Sequence, residues 1–277
     1  MSQNQFPRSD DRVPADLKVP VRNRYFYGKL LDVQQLELEQ EYFNAKRWLL
    51  NRLVTGPGVV CGLRVELTDD RESVIVRPGL AIDRCGHEIL VTGPSRPVPL
   101  PPRPTYDSNK TQKGYQGRAV QQKRYKTDTE HERHNYCQIP FAHVLLCYHE
   151  CESDPVPAMA GDCEAVALCA SGSIREQYRI EVKPGFATPR RSAFPTDIVE
   201  DGEINYARLV DYVTNSCRRL PDDCCLPLAN IELMEVDDGW SPDIDNGIRP
   251  IVYTNRLLFH LIDSLVRGDE AEEESEV

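Results

Sequence analysis

The sequence predicts an α+β protein, mostly antiparallel β, with an amphipathic helix near its N-terminus and another near its C-terminus. Three observations carry that expectation. Two stretches, 33–54 and 255–267, hold apolar residues at helical spacing with no glycine or proline inside them. Between them, short runs alternate apolar and polar residues with the period of a half-buried strand. Finally, 21 prolines against 16 glycines cut the chain into short strands and turns, which a helical bundle would not tolerate.

Residues 1–19 are polar and broken by proline, and read as an extended arm. A domain of helix plus β-meander follows over 20–93. Asp32 with Gln35 three residues on makes a capping-box-like start, and Gly56-Pro57-Gly58 stops the helix. Within it Leu36, Phe43 and Leu50 recur every seven residues and share one face, which Leu49 and Leu53 widen. Val59, Cys61, Leu63, Val65 and Leu67 then predict one long strand, with a turn at Asp69-Asp70 and a partner strand over Ser73–Val76. Pro78-Gly79 and Cys85-Gly86 mark further turns before a strand over His87–Thr92.

Gly93–Pro104 is a stiff, proline-rich spacer, and 105–136 is polar, aperiodic and poor in aliphatics. Together 94–136 form a spacer and insert between two domains. The second α+β domain, 137–267, opens with the strand Ile139–Tyr148, a cysteine-containing loop and the strand Ile174–Val182. A helix is expected over Glu203–Arg219, from the spacing of Ile204, Leu209, Tyr212 and Val213. Strands follow at Leu228–Val236 and Arg249–Tyr253. Thr254 caps a last helix, whose stripe of Leu257, Leu258, Leu261, Ile262 and Leu265 ends at Gly268. Residues 268–277 are an acidic tail.

The formal net charge is −11, and phosphate backbones repel such a balance, so nucleic acid is not an expected partner. The first residues lack a basic segment followed by an apolar run. No window approaches the roughly 20 apolar residues of a membrane-spanning helix. Synthesis and folding in the cytosol are therefore expected, and the ten cysteines read first as thiols or metal ligands.

Cys147, His149 and Cys151 alternate on one predicted strand, so all three can face one side. His149, Cys151, Cys163 and Cys169 form a candidate four-ligand set for a structural zinc, with thiols free of metal as the alternative. Cys217, Cys224 and Cys225 form a second cluster. Adjacent cysteines do not easily share one metal, so core thiols are the simpler reading there, and late disulfides become possible if the protein leaves the cell. No catalytic residue is assigned. The chain has no phosphate-cradling glycine loop, no His-Glu-x-x-His and no Gly-x-Ser-x-Gly. Cys85-Gly86-His87 reads as a packed turn and not as a nucleophile with its base. Asp237, Asp238, Asp243 and Asp245 read as a solvated acidic turn, because Trp240 and Pro242 interrupt a calcium-loop pattern. His131 and His134 read as exposed residues of the insert.

One resemblance stands beside this reading. It is carried by Arg24-Tyr25-Phe26-Tyr27-Gly28-Lys29-Leu30-Leu31, by Glu39-Gln40-Glu41-Tyr42-Phe43, and by Asn51-Arg52-Leu53 before Gly56-Pro57-Gly58-Val59-Val60-Cys61-Gly62-Leu63. Pro78-Gly79-Leu80-Ala81-Ile82-Asp83 and Gly86-His87-Glu88-Ile89 complete it. This block, spanning 22–92, resembles a protein family encoded in gene clusters of extracellular-type contractile injection systems, the phage-tail-like particles of bacteria. More distantly it is similar to helix-then-β segments of phage baseplate and fibre-attachment proteins. Residues 145–185 match more loosely, through Tyr148-His149-Glu150-Cys151 and Ile174-Arg175-Glu176-Gln177-Tyr178.

The resemblance implies a structural subunit at the baseplate, the fibre attachment or another accessory position. Its partners would be other subunits of the particle, and its place of action a particle that is released or works outside the cell. A helix with a seven-residue stripe suits packing against copies of itself about a symmetry axis, so a homo-oligomer built on Leu36, Phe43 and Leu50 is expected. The alternative is that the stripe packs on its own β-domain. Two rival functions remain in view. One is a zinc-stabilised adaptor or assembly chaperone, and the other is an unrecognised enzyme acting on cell-wall material.

Overall fold

The computed structural model describes residues 20–101, 141–157, 169–188, 195–200, 203–215, 220–236 and 239–273. The expected arm 1–19, the insert 105–136, and Cys163, Cys217, Asp237 and Asp238 lie outside them. Helix α1 (Val33–Leu50) starts where expected, with Asp32 Oδ1 accepting from the Gln35 backbone N–H at 3.1 Å. It ends in a π-helical turn over Asn51–Thr55, and Gly56 leaves that turn at φ +82°, a conformation that favours glycine.

Among the described residues, ten strands make three antiparallel sheets. The first orders β1 (Gly58–Gly62), β4 (Gly79–Ile82) and β5 (Glu88–Val91) as β1-β4-β5. In the second, β2 (Val65–Leu67), β3 (Ser73–Val76) and β6 (Val98–Pro99) follow as β2-β3-β6. The third is the largest: β7 (Phe141–Pro157), β8 (Cys169–Pro184), β11 (Leu226–Val236) and β12 (Gly239–Asp245), ordered β12-β11-β7-β8. A small hairpin of β9 (Val199–Glu200) and β10 (Glu203–Ile204) precedes α2 (Tyr206–Asn215), and α3 (Asn255–Glu273) closes the described chain. The molecule is thus α+β and mostly antiparallel, with a helix toward each end.

Several elements differ from the sequence reading, each for a local reason. The single strand expected over 59–67 is two strands in different sheets. Gly62 and Leu63 both take positive φ (65° and 58°) and turn the chain between them. Gly62 has no alternative there, because an added Cβ would meet the Pro78 carbonyl oxygen at 2.1 Å. The loop expected after Cys151 is instead the continuation of a long hairpin, since β7 and β8 stay paired from Ala142–Pro184 out to Pro157–Cys169. The acidic turn expected around 237–245 holds strand β12, and Asp243 and Asp245 pair with Glu232 and Asn230. Arg249–Tyr253 is no full strand; only Ile251 forms a bridge, parallel to Val59. The helix expected over 203–219 begins at Tyr206, with Ile204 in β10, and α3 runs through Gly268 into the stretch expected as a tail.

One hydrophobic cluster joins both halves of the chain. Val59, Leu63, Val65, Val74, Val76, Ile89 and Val91 pack with Val144, Leu146, Leu226, Leu228 and Ile231. The boundary expected at 94–136 therefore does not divide the core. Polar clasps reinforce the union. Asn246 bonds both backbone groups of Val65 (3.0 and 3.1 Å), and Arg249 donates to the carbonyl of Leu63 (3.0 Å).

Candidate functional site

Two features mark the surface where the N-terminal helix meets the β-body. The first is the helix itself. Its C-terminal turn is docked: Arg47 pairs with Glu88 at 3.0 Å and reaches Glu176 at 3.9 Å. The Trp48 ring meets His87 edge-on at 4.4 Å. Gly86 passes so close to this turn that a Cβ there would sit 2.1 Å from the Trp48 carbonyl oxygen.

No residue of α1 is fully buried, and Leu38 and Tyr42 on its other face are half-buried. Leu36, Phe43 and Leu50 are 53, 62 and 58% exposed, so the stripe does not pack on its own β-domain. Tyr27, Leu30 and Leu31, ahead of the helix in sequence, are exposed as well. An 18-residue helix gains most of its stability from tertiary packing of an apolar face, and that face has no partner among the described residues. The α3 stripe is open as well: Leu258, Leu261, Ile262 and Leu265 are all exposed.

The second feature is a buried node beneath the helix end. Asp83 is fully buried, and its carboxylate accepts from the backbone N–H groups of Cys85 (2.8 Å) and His87 (2.9 Å). Its other oxygen holds His87 Nδ1 at 2.8 Å. His87 stacks on Tyr148, with centroids 4.5 Å apart. Burial, then the hydrogen bond to Glu150 and the negative charge of Glu176, push the Tyr148 phenol well above its ordinary value.

Two disulfides close the node. Cys224 joins Cys85 in the turn before β5, and Cys225 joins Cys147 on β7, with Cα separations of 5.3 and 4.4 Å. These pairings correct the expectation of core thiols at 224–225. Neighbours on an extended segment point to opposite sides, so each adjacent cysteine reaches a different sheet. The Cys85-Gly86-His87 string is thus a packed turn, with its sulfur in a bridge and its imidazole held by Asp83.

The candidate zinc set is not brought together. His149 and Cys151 stand two residues apart on β7, but Cys169 pairs opposite Pro157, six residues farther along the ladder and roughly 20 Å away at ordinary strand rise. Cys163 lies outside the described residues. Cys147 faces the same way as His149 but is buried in its disulfide, because β7 leaves the body just beyond Tyr148. Among the described residues no group of three or more His, Cys, Asp or Glu side chains is placed to hold a metal ion.

Sequence reasoning passed over Asp83 and Asn230, whose amide bonds both backbone groups of Ala187 at 2.9 Å. A signal was present: Asp83 directly follows the apolar run Leu80-Ala81-Ile82, and Asn230 interrupts Leu228-Ala229-Asn230-Ile231. Such a residue is buried only when its hydrogen bonds are met. Comparisons with protein-family models, with curated proteins and with solved structures return no match to this chain.

Proposed function

We propose that the protein is a structural subunit of a phage-tail-like contractile injection particle, at the baseplate, the fibre attachment or another accessory position, and that it self-associates through α1. The observation that carries this reading is the exposed stripe of Leu36, Phe43 and Leu50 on a helix whose C-terminal end is docked to the β-body. Copies of such a helix bury one another's apolar face about a symmetry axis, a common way to build a ring. The particle assignment itself rests on the resemblance across residues 22–92. Other subunits of the particle are the proposed partners.

The disulfides fit a life begun in the cytosol and completed elsewhere. Such bonds persist in oxidising surroundings and are rare where cellular thiols are kept reduced. A subunit of a released particle meets both conditions in turn.

The test is to tag the protein in its native host, purify gently and image the eluate by negative-stain electron microscopy. Sheathed tubes with the tag at one end are expected. Small free particles, with sheath and tube proteins absent by mass spectrometry, would overturn the assignment.

A further inference from the structure

The three sheets wrap one core but do not close completely around it. Strand β8 ends its sheet, β5 ends the first and β6 ends the second, and no described strand pairs with their outer edges. Where these edges approach lies a cleft of about 730 Å³, within the roughly 300–1,000 Å³ range of ligand sites. The lining shows how it is built. From β5 and the residue just past it, it takes only the alternate residues Glu88, Leu90 and Thr92, while Ile89 and Val91 are buried in the core. From β8 it takes five consecutive residues, Glu176–Ile180. Alternate residues mean that the face of β5 is presented, whereas consecutive ones mean that β8 is presented edge-on.

We infer that this cleft receives an extended peptide strand, which adds to the open edge of β8. An unpaired edge offers a row of backbone donors and acceptors that another chain can complete, with side-chain contacts setting the choice. Leu90, 62% exposed, supplies an apolar contact inside the cleft. Charge selects the rest of the partner. Glu88 and Glu176 are both taken by Arg47, and Arg179 shares Glu181 with Lys183. Arg96 has no acidic partner among the described residues and lines the same cleft. The occupant is therefore a β-forming segment carrying an apolar side chain for Leu90 and a carboxylate for Arg96. The inference stands apart from the particle assignment, because no α1 stripe residue lines the cleft.

The test uses the full chain and a capped peptide, acetyl-Val-Thr-Val-Asp-Val-Thr-Val-amide, dye-labelled for fluorescence anisotropy. Two companion peptides have alternate amides N-methylated or Asp replaced by Lys. Saturable binding of the Asp peptide is expected. N-methylation, which removes ladder donors, is expected to weaken it by about tenfold or more. Arg96→Glu is expected to reverse the preference, weakening the Asp peptide about tenfold and favouring the Lys peptide. Leu90→Ser gives a second variant, expected to weaken all strand-competent peptides, and circular dichroism checks that both variants stay folded. No saturable binding at millimolar peptide, equal binding of the N-methylated peptide, or indifference to Arg96→Glu would each overturn the inference. None of these outcomes touches the oligomer or the particle.

Discussion

Asp83 shows how one side chain organises the junction between helix and sheets. Its carboxylate satisfies two turn N–H groups and orients His87, which in turn lies between Trp48 and Tyr148. Removing it strands buried donors, a cost typical of hydrogen bonds to a charged acceptor. Asp83→Ala is expected to destabilise the fold by about 3 kcal/mol, read as a lowered denaturant midpoint with an unchanged slope. Asp83→Asn is expected to fall between, since an amide accepts on only one atom. Tyr148 gives a second test at this scale. Its folded-state value is raised, so its contribution to stability is complete below the ordinary phenol value of about 10 and is lost as pH rises above it. Alkaline titration followed by tyrosinate absorbance is expected to show one late-ionising group, absent in Tyr148→Phe. Stability of that variant is expected to fall less steeply above about pH 10.

At the scale of elements, the adjacent cysteines tie two sheets together. The bridges close spans of 139 and 78 residues, and removing such bonds commonly costs about 2–5 kcal/mol each. Cys224→Ser and Cys225→Ser are each expected to lower the melting temperature. The non-reduced protein is expected to be at least four hydrogens lighter than the reduced one by intact mass, two for each of these bridges. Full thiol labelling of Cys224 and Cys225 in the native, oxidised protein would contradict the pairing. For α1, exposure of the stripe separates association from folding. Phe43→Glu is expected to leave the unfolding free energy of the isolated chain within about 0.5 kcal/mol of its starting value, as for ordinary surface changes. The same change is expected to convert the oligomer to a 31.5 kDa species by light scattering. An oligomer untouched by Phe43→Glu, or a parent protein already of monomer mass at micromolar concentration, would remove α1 as the interface.

Over the whole molecule, a core shared by both halves of the chain predicts cooperative behaviour. Val59, Val76 and Ile89 pack in the same cluster as Leu146, Leu226 and Ile231. Heat or denaturant is expected to produce a single transition, with tryptophan fluorescence and far-ultraviolet circular dichroism coincident, as in two-state domains. Separate transitions for residues before and after the 94–136 stretch, seen by hydrogen exchange, would show two independent units. No described helix is long and apolar enough to cross a membrane.

Local patterns determined much of this protein. The start of α1 at Asp32, the cap of α3 at Thr254, the turns at Asp69-Asp70 and Cys85-Gly86 and the α+β class all follow from short-range periodicity and turn chemistry. The face shared by Leu36, Phe43 and Leu50 was equally legible, because seven-residue spacing is a property of the helix alone. Tertiary structure decided the rest. Whether that stripe was covered, which cysteine met which, and whether His149 and Cys151 came near Cys169 all depend on which strands pair and in what register. Pairing joins residues such as Val65 and Asn246, which hold each other across 181 positions. No local pattern encodes such a meeting, since it is settled by the competition among all ways of burying the apolar surface at once.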